Sequence, residues 1–533
     1  MNEVLDENFK EFYPELEKLI NNASFIAIDT ELTGISTDND VKYSLFDSLD
    51  VRYKKLKNTI ENFSIIQFGI SVFHHVPDMN FYDAQCFNFY LLPRALPLTN
   101  NQITWQVGAL EFLSKHNFDF NKLVNHAIPY LNELDEKNFK QYIEKSSFLD
   151  KLKHLSYEDE TNFNESISKT IDWIFNDVHQ TSFELEVEDP IVQYLIRKRL
   201  KDYNNIQTTS GYKRIIVERI SSKNTRDVSE KEDSNCLEQT LLDSYVGFSK
   251  VFKLLCSSKK PIIGHNVLFD LMFTYQQFYK PLPDSYTEFK SNVHSLFPQI
   301  YDTKFISTEL RRLYIKEVNW KQSSLDAVYE FFTLKQGKYL ALNSPTVNLR
   351  LKSLDEKNYH HAGWDAYFAG YIFIKLGHVF GVKIYGSGLE ERPITHSELM
   401  SSVKNYVNSV NVSRSNEMCM KLDGEDPLYS KPEWLHVKLK SASIDTKQLV
   451  ERLSSFGQVD IMPFARKRVL VAVSNQKSAM HILQHFQSSK EFQVARYNRI
   501  KHAAPSTICF WSGVILSGGL FAWIIKQTLL RST

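Results

Sequence analysis

Four carboxylates and one histidine carry the chemistry of this chain. Asp29 and Glu31 lie in FIAIDTEL, Asp270 in PIIGHNVLFD and Asp365 in HHAGWDAY, with His360 five residues before Asp365. Each is set on an apolar strand end or an amphipathic helix, where an unpaired charge is costly. Divalent cations make such a cluster tolerable, and that grouping is the site chemistry of two-metal phosphodiester hydrolysis. The residues point to a nuclease.

In a strand, residues two apart share a face, so Asp29 and Glu31 present their carboxylates together. Asp-x-Glu alone is common in turns. Here IAI precedes it and TGIS follows, which makes it the end of a buried strand. Asp270 lies one helical turn past His265 and Asn266, where a first-turn acid can also simply complement the helix dipole. His360 and Asp365 enclose Ala362 and Gly363, small enough for a close backbone approach. On an otherwise apolar helix, Asp365 points inward. An imidazole with a pKa of about 6.5 can accept a proton from water. His361 competes with His360 for that role, and spacing does not separate them.

The elements that must position these groups alternate as in an α/β fold. Residues 1–22 have helical spacing, with Phe9, Phe12, Leu16, Leu19 and Ile20 on one face. FIAIDTEL, residues 60–73 and CFNFYLL (86–92) read as strands, and VGALEFLSKHNFDFNKLVN as helical. Polar residues 132–170 mark a boundary. Strand PIIGH, helix LFDLMFTYQQFY, the segment IYDTKFIS, helix SSLDAVYEFF and helix AGWDAYFAGYIFIKL then resume the core. The reading is a core over 1–135 and 236–385, interrupted by a small module at 171–226. After a Ser- and Asn-rich stretch (400–416), residues 430–497 follow the order β-α-β-β-α-β of a ferredoxin-like or RNA-recognition-motif-like unit.

Hydrophobic residues make up 43% of the 533, enough for a sizeable core, and the formal net charge is zero. No global field draws the chain to nucleic acid, so contacts must come from local patches. One lies at 191–226, where Arg197, Lys198, Arg199, Lys201, Lys213, Arg214 and Arg219 alternate with Tyr194, Tyr203 and Tyr212. It fits an RNA path along phosphates, or a solvated helix face. Cys86, Cys236, Cys256, Cys419 and Cys509 form no CxxC, which suggests neither a disulfide framework nor a zinc site. The acidic N-terminus is no signal or transit peptide. From Ala503 to Ile525 there is no charged residue, with basic residues on both sides and Trp511 and Trp523 within it. That length spans a bilayer core. The segment reads as a C-terminal membrane anchor that leaves the body in the cytosol, at the mitochondrial outer membrane or the endoplasmic reticulum.

These blocks, in this order, resemble the DEDD exonucleases of the DEDDh type, on a ribonuclease-H-like fold. FIAIDTELTGIS, YKKLKNTIENFSIIQFGISVF, FNFYLLP, LEFLSKHNFDFNKLVNHAIPYLN, IGHNVLFD, FPQIYDTK and HHAGWDAY resemble more narrowly the poly(A)-specific ribonuclease family. The resemblance implies an α/β, ribonuclease-H-like mixed-sheet core with an inserted α/β module. It implies that Asp29, Glu31, Asp270 and Asp365 hold two Mg²⁺ ions, with Mn²⁺ able to substitute. It gives His360, which has the family's five-residue offset, the role of general base. Ile35, Ile128 and Lys304 match positions that touch the 3′-terminal nucleotides in relatives.

Departures are informative. Leu32 stands where poly(A)-specific members carry Phe after the motif Glu, so an aromatic face for a base is missing. The inserted module lacks the family's Arg-x3-His signature. The C-terminal unit has RKRVLVAV and His436 where stacking aromatics are expected, which favours packing or dimer support over base stacking. The apolar C-terminus resembles the family's tail-anchored branch, which shortens piRNA precursors. That branch implies single-stranded RNA held by a PIWI protein as substrate, a Tudor-domain membrane adaptor as partner, and a homodimer as a possible assembly.

Overall fold

In this computed structural model the described residues are 1–35, 43–77, 79–96, 102–144, 156–176, 180–220, 230–313, 323–350, 359–386, 392–427, 434–440, 446–465 and 467–502. The first strands are β1 (Asn2–Val4), β2 (Phe25–Leu32), β3 (Ile65–His75) and β4 (Phe81–Tyr90). FIAI and IIQFGISVF are apolar on both faces, as strands covered on both sides must be, and all of these residues are buried. An inserted module carries β5 (Ser182–Glu186), β6 (Ile206–Gly211) and β7 (Arg214–Arg219). The main sheet then takes β8 (Ile262–Gly264), β9 (Ile300–Asp302), β10 (Thr346–Leu349), β11 (Ser409–Asn411) and β12 (Cys419–Lys421). Its order is β1-β4-β3-β2-β8-β9-β11-β12, with β10 also on β4. Central β2 runs antiparallel to β3 and parallel to β8, so the sheet is mixed.

Helix Ala362–Tyr385 packs on this sheet through an apolar core that includes Phe25, Phe73, Tyr82, Trp364, Tyr367 and Phe373. Its N-terminus is fixed by polar side chains buried in the sheet. The Ala362 N–H donates to Gln67 Oε1 at 2.9 Å, and the Gly363 N–H to Asn88 Oδ1 at 3.1 Å. Ser71 Oγ donates to the Gly363 carbonyl at 3.2 Å. First-turn N–H groups have no intrahelical partner; here the sheet supplies them. The approach is close because Gly69 has no side chain. A Cβ on Gly69 would lie 1.9 Å from the Ala362 carbonyl oxygen.

The structure redraws several expected elements. Residues 2–4 form β1, parallel to Phe87–Phe89 of β4, and the helix begins only at Asp6. Edge hydrogen bonding overrides helical spacing there. The expected helix after Gln106 is two, Val107–Lys115 and Phe120–His126, split at Asn117, whose φ is +59°. The Ser- and Asn-rich stretch supplies β11, and Asn408 beside it is buried, its Oδ1 accepting the Ile300 N–H at 2.9 Å.

In the inserted module, helices Tyr157–Asn176 and Pro190–Leu200 pack on the antiparallel sheet β5-β7-β6. Trp173, Ile174, Leu185, Ile196, Ile215 and Val217 form its core.

The chain divides into two compact units. One comprises Met1–Val41, Leu56–Asn411 and Lys421–Asp426, and the other Lys42–Lys55, Val412–Met420 and Pro427–Thr533. The second contains β13 (Leu435–Leu439), helix Thr446–Ser454, β14 (Val459–Ala465), β15 (Arg468–Val473), helix Gln476–His485 and β16 (Phe492–Arg496). Its sheet order is β14-β15-β13-β16, antiparallel throughout. Leu435 and Val437 enter its core, while His436 on the opposite face stacks on His502 at 4.2 Å. Phe464 and Tyr497 pack beside that pair. The outer face is therefore covered in part by the unit's own C-terminal residues. The expected membrane span at 503–525 lies outside the described residues, among which no helix is long and apolar enough to cross a membrane.

Gly69→Ala should lower stability by about 3 kcal/mol, because backbone rather than a flexible side chain must yield. Gly108, where a Cβ meets nothing within 4 Å, is the control. Gly108→Ala should be neutral or stabilising by up to about 1 kcal/mol. Urea denaturation compares the two, and equal stabilities would refute the close approach.

Candidate active site

Three parts of the nuclease-like unit meet at the end of β2. In the β2–β3 ladder Asp29 lies opposite Gly69, over which the N-terminus of helix Ala362–Tyr385 sits. That contact brings Asp365, in the helix's first turn, to Asp29 and Glu31. Single carboxylate oxygens of these three residues lie within 4.8 Å of one another. Asp270, buried in the first turn of helix Leu268–Thr274, accepts the Thr30 hydroxyl at 2.6 Å. Asp365 is also buried; its Oδ2 accepts the His360 N–H at 3.1 Å. Its Oδ1 is buried with no hydrogen-bond partner.

Burial shifts every member of the cluster upward. Burial raises Asp29 well above the usual carboxylate range, and Asp270, Asp365 and Glu31 add to the shift. Glu31 is raised the same way, by burial and then by Asp365 and Asp270. Burial pushes Asp365 up to about 7, against the opposing His360 N–H. Asp270 is pushed up to about 6, again by burial, with the Thr30 hydroxyl opposing. A divalent cation fits this donor set: hard oxygen ligands, a shared focus and one buried oxygen without a partner. Asp29, Glu31, Asp270 and Asp365 would hold it.

The two histidines differ. His360 has φ +64°, a left-handed conformation uncommon for non-glycine residues. Its ring lies 4.1 Å from that of His116 and 4.8 Å from Phe112. Burial and then His116 lower its pKa, while Asp326 opposes. His361 caps the helix, its carbonyl accepting the Trp364 and Asp365 N–H groups, and its Nδ1 is buried without a partner. His265 is structural: its ring nitrogens meet Thr303 Oγ1 and the Ser323 carbonyl, each at 3.0 Å. Burial pushes it down to about 3.

The remaining expected residues are scattered. Ile35 is 56% exposed beyond the end of β2, its N–H donating to Gln106 Oε1 at 3.2 Å. Lys304, half-buried, opens helix Thr303–Leu313. Ile128 is fully buried and bridges Leu91, so its side chain offers a nucleotide no surface. Of the basic patch, Arg197 is buried and donates to the Thr208 carbonyl at 3.2 Å. Arg199 pairs with Asp202, Lys213 with Glu188 and Arg214 with Glu184. Lys198 lies over the Tyr194 ring. These cations already have internal partners. Sequence reading missed Phe112 and His116 beside His360, and Asp302, whose buried carboxylate accepts backbone N–H groups around Asp270. Only IYDTK hinted at Asp302, and nothing in it signalled burial.

A mixed sheet whose central strand and two helices converge on one carboxylate cluster, with a histidine adjoining it through its backbone N–H, is the layout of a phosphodiester-cleaving nuclease. The family described as CAF1 family ribonuclease matches residues 4–373. The chain is 34% identical over 531 residues to the pre-piRNA 3′-exonuclease trimmer of Bombyx mori, spanning 98% of both proteins. It is 27% identical to the poly(A)-specific ribonuclease PNLDC1 of Mus musculus, spanning 98% of this chain and 99% of that one. To the poly(A)-specific ribonuclease PARN of Homo sapiens it is 27% identical, over 93% of this chain and 80% of the relative. This chain belongs to the CAF1 family of ribonucleases, and its enzyme class is exoribonuclease.

The raised carboxyls set a pH dependence. Without metal, the folded state keeps protons on Asp365 up to about pH 7, whereas the unfolded chain releases them near pH 4. The native state binds more protons across that window, so stability falls as pH rises through it. Metal-free protein should therefore be more stable to urea at about pH 5 than at about pH 8, and Asp365→Asn should flatten that slope. An unchanged slope in Asp365→Asn would contradict the assignment.

Proposed function

We propose that this protein is a divalent-metal-dependent 3′-to-5′ exoribonuclease that trims single-stranded RNA, with PIWI-bound piRNA precursors as its substrate. The observation that carries the catalytic part is the convergence of Asp29, Glu31 and Asp365 around the partnerless Asp365 Oδ1. The trimming part is supported by the full-length likeness to a pre-piRNA 3′-exonuclease and by Leu32, which offers no aromatic face to hold an adenine.

Two Mg²⁺ ions, or Mn²⁺ in their place, would supply charge neutralisation and Lewis acidity at the scissile phosphate. The chain's own groups do the rest. His360 is kept uncharged near neutral pH by burial and by His116, and accepts the proton of the attacking water. To do so its ring turns from Phe112 and His116 toward the carboxylates. Lys304 holds a phosphate oxygen as a point charge. Thr30 orients Asp270. The product is a 5′-nucleotide, and a free 3′ hydroxyl is preferred because bulk on the terminal ribose would crowd the carboxylates. Segment 503–525 anchors the chain in the mitochondrial outer membrane or endoplasmic reticulum. There a Tudor-domain adaptor would present the substrate. The unit at 430–497 is ferredoxin-like and serves packing or dimer contacts rather than base stacking, in keeping with its covered outer face.

The test uses 5′-labelled RNA, free and loaded in a PIWI protein, with detergent-solubilised full-length protein and Mg²⁺. Wild type should shorten the loaded RNA stepwise and stop near the protein footprint. Asp29→Ala and His360→Ala should each fall by at least about 100-fold in rate. Rapid digestion of bare poly(A) regardless of loading would make the enzyme a deadenylase. Shortening that survives Asp29→Ala would overturn the site.

A further inference from the structure

Asp302 ends β9 and is fully buried, yet none of the steps above uses it. Its Oδ1 accepts the N–H groups of Asn266 and Lys304, each at 2.9 Å, and of Phe305 at 3.4 Å. Its Oδ2 accepts those of Asn411 at 2.9 Å and Val267 at 3.3 Å. Val267 caps helix Leu268–Thr274, which carries Asp270. Lys304 and Phe305 open helix Thr303–Leu313. One carboxylate thus closes the N-terminal ends of two helices, where free N–H groups and the helix dipole favour negative charge. Asn266 has φ +64°, and its side-chain carbonyl accepts Asn411 Nδ2 at 2.6 Å. The left-handed turn that leads from β8 to Asp270 is therefore tied on both its backbone and its side chain.

We propose that Asp302 is a positioning residue that sets where the Asp270 carboxylate and the Lys304 ammonium stand. It would thereby set both divalent-cation affinity and the hold on an RNA phosphate. The inference rests on the nuclease reading of the site. Asp302 joins the start of the helix of a candidate metal ligand to the start of the helix of a candidate phosphate contact. Asn in its place keeps the size but turns an NH₂ group toward N–H donors, so one set loses its acceptor: Val267 and Asn411 where the NH₂ replaces Oδ2, or Asn266, Lys304 and Phe305 where it replaces Oδ1.

The experiment compares full-length wild type, Asp302→Asn, Asn411→Ala and Ile306→Val, with Asp29→Ala in parallel. Ile306 is buried on the same helix as Lys304 and serves as the stability control. Mn²⁺ binding is read by electron paramagnetic resonance, folding by circular dichroism, and kcat and KM on single-stranded RNA. Asp302→Asn should weaken Mn²⁺ binding by about 10- to 100-fold, lower kcat and raise KM at a temperature where it is folded. Asn411→Ala leaves all five N–H bonds and should show the same change at about fivefold, the effect of one hydrogen bond. Ile306→Val should keep Mn²⁺ binding and KM at wild-type values whatever its Tm. Wild-type Mn²⁺ binding in folded Asp302→Asn overturns the proposal, as does the same loss in Ile306→Val. If Asp302→Asn does not fold, Asp302→Ser, which keeps one acceptor oxygen at the helix start, decides by the same readouts. Cleavage surviving in Asp29→Ala would instead refute the nuclease reading itself.

Discussion

Bare backbone at Gly69 lets the N-terminus of helix Ala362–Tyr385 rest on the sheet, and the site depends on that contact. Gly69 faces Asp29 across the ladder, so whatever sits over it is delivered to the first carboxylate. Gln67, Ser71 and Asn88 then fix the helix by its first-turn amides and carbonyl. Apolar packing alone would hold the helix against the sheet but leave it free to slide. Directional hydrogen bonds in a buried layer fix its register, because each one lost leaves a buried group unsatisfied.

The same geometry creates an electrostatic problem. Four carboxylates meet at a largely enclosed focus; burial raises them all, and repulsion within the cluster adds to Asp29 and Glu31. The protein meets only part of this demand itself. Thr30 bonds Asp270 and the His360 amide bonds Asp365, while Asp365 Oδ1 has no partner. A fold that stabilised this cluster fully with its own donors would have no affinity left for a cation. The site is therefore held together by surrounding contacts, at Gly69 and around Asp302, rather than by attraction among its members.

The inserted module shows the opposite economy of charge. Its arginines and lysines look in sequence like a phosphate track, yet Arg197 braces a strand and Lys213 and Arg214 pair with Glu188 and Glu184. Exposed pairs of this kind contribute little to stability. They do lower the positive field that an RNA backbone would sense, because each cation already has an anion at hand.

Sequence alone determined the α/β order, the buried strand FIAIDTEL and the four carboxylates, because burial periodicity is local and a charge on an apolar element is conspicuous. It also showed Leu32, where the family resemblance places an aromatic ring, and the apolar run at 503–525. Tertiary structure decided what depends on partners far away in the chain. β1, β10 and β11 are short segments whose strand state comes from an edge that pairs with them, so three or four residues carried too little signal. Ile128 matched a nucleotide-contacting position by resemblance but lies inside, and Arg197 matched a basic track but points at Thr208. Asp302 was one acid among many until Asn266, Val267, Lys304, Phe305 and Asn411 were seen to converge on it. Residue type reports which chemistry is available; only the packing of distant segments decides which groups are exposed to use it.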